Sequence, residues 1–468
     1  MTAAGISPEP RAALRPGGEP RWADYRPRLA SGIWRGVRAA LLPELEAAKR
    51  AAGDFARIRL GAVTLYVVSD PEAIKSVLVT EQRNFIRFEP EGSMLRRAVG
   101  NGILTSTGEL HRRQRRLMQP LFQPRRIESY AAAMSLEAER LLAEWEPLAG
   151  QVVDVHAEMM RVTMLVIARV LFGSDLRAQA EILSEAITAA NRSSSSLLQI
   201  LFKGRLAFLP TRDNRELRRA VRALDSLVYG QIEARRSSGE ARDDLLGLLL
   251  SARDEEPSGA PMSDRQVRDE LVTLFAAGHE TTASLLSWTW SLLAASPEIE
   301  ARLHAELDRV LAGRTPTFSD LPNLPYTQQV LRESMRLYPP AWTTGRLNLE
   351  ATRVSGRALP ARSFVITSPW LVHRDSRWFP EPERFDPDRF TPESSSGRPR
   401  FAYFPFGGGA RQCIGQSFAE VEGALLLASF AQRFAPRALD GARVEPEPMV
   451  TLRPRNGLVM RLTRRGSA

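Results

Sequence analysis

Apolar side chains recur every three or four positions through most of this chain, and that spacing predicts a mainly helical protein. Residues 130–148, 153–172, 178–190 and 213–236 each carry such a face, as do 297–311 and 325–338, the last stopped by Pro339-Pro340. Ser263, with Gln266 three positions on, reads as the capped start of a helix that runs toward Pro297, about 50 Å at 1.5 Å per residue. Another helical pattern (Phe418, Val421, Ala424, Leu425, Ala428, Phe430) begins just after the only cysteine. Shorter stretches alternate instead. Residues 55–70 read as strand, turn at Gly61 and strand; 343–349 and 363–368 read as strands, and 444–464 as a small sheet. Residues 71–79 read as a short helix, 84–103 as a long irregular loop and 108–122 as a helix. The expected fold is mainly α with small β-sheets (α+β).

Composition narrows the class. Apolar residues make up 43% and charged residues 25% of 468, as in an ordinary globular protein. Residues 1–20, rich in Pro, Gly and Ala, read as a disordered lead-in without the apolar core of a signal peptide, and 21–468 as a single domain. The longest apolar stretches carry Arg161 and Arg169, or His279 and Glu280, so no membrane anchor is expected and the compartment reads as cytoplasmic. One cysteine excludes a disulfide framework, a cysteine zinc site and an iron–sulfur cluster within the chain. The net charge of +10 comes mostly from arginine, with no basic stripe interleaved with aromatics, so an acidic protein partner fits and nucleic acid does not. Residues 197–209 are unusually apolar for a connection, which suits either core or a lipophilic lid.

Two stretches break local rules. The centre of the long helix reads Ala277-Gly278-His279-Glu280-Thr281-Thr282, poor helix material flanked by core-like Leu271, Leu274, Phe275, Leu285 and Leu286. Gly278 opens room beside the backbone, and a threonine hydroxyl there can bond the carbonyl four residues back and distort the ladder. The second stretch is Phe404-Pro405-Phe406-Gly407-Gly408-Gly409-Ala410-Arg411-Gln412-Cys413-Ile414-Gly415. Its glycines allow tight turning and close approach to a flat object. Cys413 stands at or just before a helix N-terminus, where the dipole and free N–H groups favour a thiolate, with Arg411 as a cation beside it. A lone thiolate so held suits one axial bond to an iron.

The spacing Phe406-x-x-Gly409-x-Arg411-x-Cys413-x-Gly415 resembles the haem-ligand signature of the cytochrome P450 family, and the resemblance extends from about residue 54 to the end. It implies that Cys413 is the proximal ligand of haem b (iron protoporphyrin IX), with Phe406 and Gly415 on the cofactor loop. Within 277–282 it makes Ala277 and Gly278 neighbours of the cofactor, Glu280 the acid and Thr281 the alcohol of the oxygen-activating motif. The basic helix 108–122 would give His111 and Arg115 to the haem propionates, joined by Arg346 and Arg411. Glu333 and Arg336 would lock with Arg389 into a structural triad that holds the chain leading to Cys413. The implied reaction is monooxygenation of a lipophilic small molecule (a fatty acid, terpenoid or polyketide) by O2, with electrons from a separate ferredoxin or flavodoxin. Arg112, Arg113 and Arg116 would then face outward toward that carrier. A peroxygenase or isomerase on the same fold, or a haem-binding sensor, are the alternatives.

Overall fold

A computed structural model describes residues 20–27, 37–60, 63–87, 94–173, 175, 212–240, 242, 244–253 and 261–466. The expected helix at 178–190, the apolar stretch 197–209 and the lead-in 1–19 lie outside the described residues. In chain order the helices are α1 (Val37–Ala52), α2 (Pro71–Lys75), α3 (Met94–Val99), α4 (Gly108–Met118), α5 (Pro124–Trp145), α6 (Val155–Phe172) and α7 (Arg212–Ser238). They continue with α8 (Leu245–Ser251), α9 (Asp264–Ala294), α10 (Pro297–Leu311), α11 (Pro325–Leu337), α12 (Pro369–Val372), α13 (Pro392–Ser395) and α14 (Gln416–Ala431).

The long helix forms because its ends are well specified. Ser263 accepts the N–H of Gln266 and so caps α9, which stops at Ala294 rather than reaching Pro297, since α10 takes that proline as its own first residue. Most of α9 is buried, because α6, α7, α11 and α14 all pack against it. The predicted helix 108–122 is shorter than expected: Pro120 has no N–H to give, and the chain tightens into a 3₁₀ turn at Gln119–Phe122. The segment after α2 is likewise not α-helical but a π turn, Ser76–Thr80.

One six-stranded sheet gathers distant parts of the chain. Its order is β1 (Ala23–Tyr25), β2 (Phe55–Leu60), β3 (Val63–Val68), β9 (Phe364–Thr367), β6 (Thr344–Asn348) and β4 (Phe85–Ile86). The edge strand β4 lies inside what the sequence reads as irregular loop, as does α3. It pairs antiparallel with β6, Phe85 opposite Asn348 and Ile86 opposite Leu347. The other strands are β5 (Val152–Asp154), β7 (Thr352–Val354), β8 (Arg357–Leu359), β10 (Arg437–Ala438), β11 (Pro446–Pro448), β12 (Leu452–Pro454) and β13 (Val459–Arg461). The C-terminal segment is not one sheet: β11 and β12 form a hairpin, while β13 joins β10 and the distant β5. Among the described residues no helix is long and apolar enough to cross a membrane.

Candidate active site

The cysteine loop is built by contacts to protein. Gly409 turns at φ +68°, and any side chain there would collide with the carbonyl of Leu78 on the π turn after α2. At Gly408 a Cβ would stand 2.6 Å from the ring of Phe401. These glycines therefore seat the loop against its own scaffold. Gln82 accepts the N–H of Ala410 at 2.8 Å, and the Cys413 N–H closes back onto the carbonyl of Phe406 at 3.0 Å. Phe406 packs partly buried against the core around α9, α11 and α14. Gly415 caps α14, and a Cβ there would stand at ordinary contact distance from Phe122, 3.8 Å, and from Cys413 Sγ, 4.0 Å.

Cys413 retains exposed surface although protein surrounds it. Burial pushes its thiol above the ordinary value, outweighing the N–H of Gly415 and the charge of Arg115, which pull the other way. The protein packed round the sulfur thus opposes the thiolate bias expected from the helix end. A metal bond deprotonates a coordinating thiol outright. The cation that acts on the sulfur is also not the expected one. Arg115 does so while donating to the carbonyl of Gln412 at 2.6 Å, whereas Arg411 donates to the carbonyls of Ser106, at 2.6 Å, and Ile103, at 3.3 Å.

His111 and Arg115 stand one turn apart on α4, Arg346 lies on β6 and Arg411 on the cysteine loop, and all four share one space. Burial lowers each of them: His111 to about 4, Arg346 to about 10, Arg411 to about 9, and Arg115 by a smaller shift. The neighbours that add to the shifts of His111, Arg346 and Arg411 are other cations, with no carboxylate among them. A fifth member, Arg87, presses on all three and was missed in the sequence. It follows Ile86 in β4, so the antiparallel register sets it opposite Arg346. Buried cations gather this way where a dianion is to be held, and the two propionates of haem supply one. The residues fit that group: one accessible sulfur on a rigid loop, and beside it a cluster of arginines with His111, in which the described groups acting on His111, Arg346 and Arg411 include no carboxylate.

On α9, Thr281 donates to the carbonyl of Ala277 at 2.6 Å, the bond anticipated from the sequence. The helix nevertheless stays continuous, so the ladder is not broken. Glu280 is buried and accepts from Thr451 Oγ1, at the tip of the β11–β12 hairpin, at 2.7 Å. Thr451 lies so far along the chain that no local pattern could announce it. At Gly278 a Cβ would meet Ile167 Cδ1 of α6 at 3.3 Å. The room it leaves lets α6 and α9 approach. His279 points into the same seam, fully buried, its carbonyl accepting from Thr163 at 3.0 Å and burial pushing its ring down to about 4.

The triad assembles as expected. Arg336 forks onto Glu333 at 2.6 and 2.7 Å, both fully buried, and Arg389 Nε comes within 3.5 Å of the same carboxylate. Burial raises Glu333, with Arg336 as the main opposing influence. Arg336 also donates to the carbonyls of His373, Pro382 and Arg384, at 2.9, 2.7 and 3.0 Å. His373 in turn accepts the N–H of Phe404 at 3.0 Å, and Tyr403 donates to the carbonyl of Arg332 at 2.9 Å. The triad thereby grips the start of the cysteine loop through His373, a link the sequence reading did not contain.

A family model described as Cytochrome P450 matches residues 20–461. The chain is 41% identical over 406 residues to cyclooctatin synthase of Streptomyces melanosporofaciens, 86% of each chain being covered. It is 36% identical over 418 residues to pentalenene oxygenase of Streptomyces avermitilis, covering 88% of this chain and 91% of the other. The solved haem domain of cytochrome P450DA superposes with a TM-score of 0.85 at 26% identity, covering 96% and 98% of the two chains.

Proposed function

Because the chain belongs to the cytochrome P450 family and is a haem-thiolate monooxygenase, we propose that it inserts one oxygen atom of O2 into a lipophilic cyclic terpenoid, in a single domain spanning residues 21–468. The observation that carries this reading is the cluster of buried and half-buried arginines, with His111, around the sole cysteine, the described groups acting on Arg346 and Arg411 including no carboxylate. Cys413 would hold the iron, Arg115, Arg346 and Arg411, with Arg87, would neutralise the propionates of haem b, and His111, neutral at pH 7, would give them a hydrogen bond. Bound haem supplies the oxygen-activating redox chemistry, with the thiolate pushing electron density toward O–O cleavage.

The chain's own residues move the protons. Thr281 is half-exposed beside the helix carbonyl it bonds, so its hydroxyl can exchange that bond for one to an arriving group. Glu280 is fixed by Thr451 and would relay protons toward Thr281. Among the three lipophile classes suggested by the sequence, terpenoid is favoured by the names of relatives: pentalenene oxygenase, and cyclooctat-9-en-7-ol 5-monooxygenase, 38% identical over 393 residues.

Electrons would come from a separate acidic ferredoxin or flavodoxin in the cytoplasm. Arg112 and Arg116 are exposed on α4, the helix whose Arg115 touches the cysteine loop. Arg113 instead reaches Gln266 at the start of α9, so it leaves the outward group expected from the sequence. The test of the central assignment is spectroscopic. Reduced protein under carbon monoxide should show the red-shifted Soret band of haem–thiolate, and Cys413→Ser should bind haem without it. A serine variant that keeps the band would refute the assignment.

A further inference from the structure

The turn between α3 and α4, residues 100–106, is held from two sides. On the α9 side, two helix residues grip it and the one before them holds the end of α3. Arg268 donates to the carbonyl of Ala98 at 3.3 Å, Asp269 Oδ2 accepts the N–H of Asn101 at 2.8 Å, and Glu270 Oε2 accepts the N–H of Ile103 at 2.8 Å. The three side chains are buried, and Glu270 is fully so. The turn is shaped for this approach. Gly100 lies at φ +76°, a Cβ there would run into the Asp269 carboxylate, and one at Gly102 would run into the hydroxyl of Thr273. On the opposite side the carbonyls of Ile103 and Ser106 receive the guanidinium of Arg411. Ile103 thus gives its N–H to an acid of α9 and its carbonyl to the cation of the cysteine loop.

We propose that Glu270, with Asp269, is a positioning residue for haem: by pinning the 100–106 turn to α9 it sets the two carbonyls that aim Arg411 at the propionates. This rests on the reading of Arg411 as a propionate donor. Two observations separate the arrangement from ordinary packing. Among the described residues no acid acts on the guanidinium, so its direction is set by these carbonyls against the push of Arg87, Arg346 and Arg115. And an acid is a costly choice for an anchor at a site so dry, where burial holds Glu270 protonated to about pH 8. A neutral carboxyl accepts one N–H as an amide does, so Glu270→Gln preserves the anchor, whereas Glu270→Leu removes it.

The experiment follows haem transfer from the holoenzyme to excess apomyoglobin, alongside thermal unfolding. Arg411→Leu should speed haem loss about 10-fold, the equivalent of about 1.4 kcal/mol. Glu270→Leu should speed it about 5-fold and Glu270→Gln less than about 2-fold, and Glu270→Leu should add less than about 2-fold in the Arg411→Leu background. Gly102→Ala, which pushes the turn off Thr273, should repeat the Glu270→Leu result and serves if that variant does not fold. An Arg411→Leu protein that keeps haem as wild type would overturn the reading of Arg411 and the proposal with it. Fast loss from Arg411→Leu, with wild-type rates in both Glu270→Leu and Gly102→Ala, would overturn the proposal alone. So would effects that multiply fully in the double variant, or a fall in melting temperature with no change in haem loss, since either would make the anchor a packing feature only.

Discussion

The grip of Arg336 on the chain that leads to Cys413 sets a scale for how the site is held. Its guanidinium makes two bonds to Glu333 and three to backbone carbonyls, all from a fully buried position. Replacing it with leucine would strand a buried carboxylate, about 3–5 kcal/mol, and leave three carbonyls short, about 1 kcal/mol each. That total rivals the whole stability of an ordinary fold, about 5–15 kcal/mol, so Arg336→Leu should not accumulate as folded protein. Arg336→Lys is the measurable variant. It keeps the charge but cannot span both carboxylate oxygens and three carbonyls, so at least two charge-assisted bonds go, about 3–5 kcal/mol. For a chain of this length the unfolding entropy is about 1 kcal/mol per kelvin, which converts the loss to about 3–5 °C in Tm. Arg389→Leu removes a cation that stands 3.5 Å from Glu333, beyond hydrogen-bond reach, while Arg336 and the N–H of Asp386 stay in place. Its cost should be about 1 kcal/mol, or about 1 °C. The assay is thermal unfolding of the holoproteins with the ratio of Soret to protein absorbance as a check on loading. If Arg389→Leu melted as low as Arg336→Lys, the acid would be neutralised chiefly by Arg389, and the ranking drawn from the geometry would be wrong.

Two further outcomes can be measured. Glu422 of α14 is fully buried, and burial pushes its carboxyl from 4.5 up to about 8, with Thr282 of α9 as the opposing influence. A folded pKa above the unfolded one stabilises fully below about pH 4.5 and is lost as pH rises through 8, so between pH 5 and pH 7 wild type should lose about 2–3 kcal/mol more than Glu422→Gln; parallel pH profiles would mean that the acid is ionised in the fold. Reduction of the iron by an acidic ferredoxin should slow in Arg112→Glu/Arg116→Glu at low salt and converge with wild type at high salt, where the Debye length falls to about 3 Å at 1 M, and stopped-flow traces with identical salt slopes would remove α4 from the docking surface.

Most of what the sequence made legible was local. The cysteine loop, Glu333 with Arg336, and Thr281 with Ala277 are set by spacings of a few residues, and helical periodicity places such pairs without any knowledge of packing. What stayed hidden depends on which distant segment lies alongside. Arg87 directly follows a strand of two residues, too short for an alternating pattern to register, and only the pairing of that strand with β6 brings it to Arg346. The glycines of the cysteine loop advertised close approach, but not that the neighbours would be Leu78 and Phe401. Gly278 carried the same ambiguity and resolved toward α6. The direction of the Cys413 shift was lost for a related reason: helix-end N–H groups are visible in a sequence, while the burial that outweighs them is not.

The sheet that joins β1 and β2 to β9 and β6, and the cations that converge from residues 87, 111, 115, 346 and 411, also fix an order of events in the cell. At about 5–20 residues per second, Cys413 leaves the ribosome about 20–80 s after the first residue, when little more than α14 and the last strands remain to be made. No earlier stretch holds both the sulfur and its cations, so the nascent chain has no partial haem site to fill along the way. Cofactor capture is therefore a terminal step of biosynthesis. A message truncated before the loop that carries Arg411 and Cys413 should yield a protein blind to haem rather than one that binds it weakly.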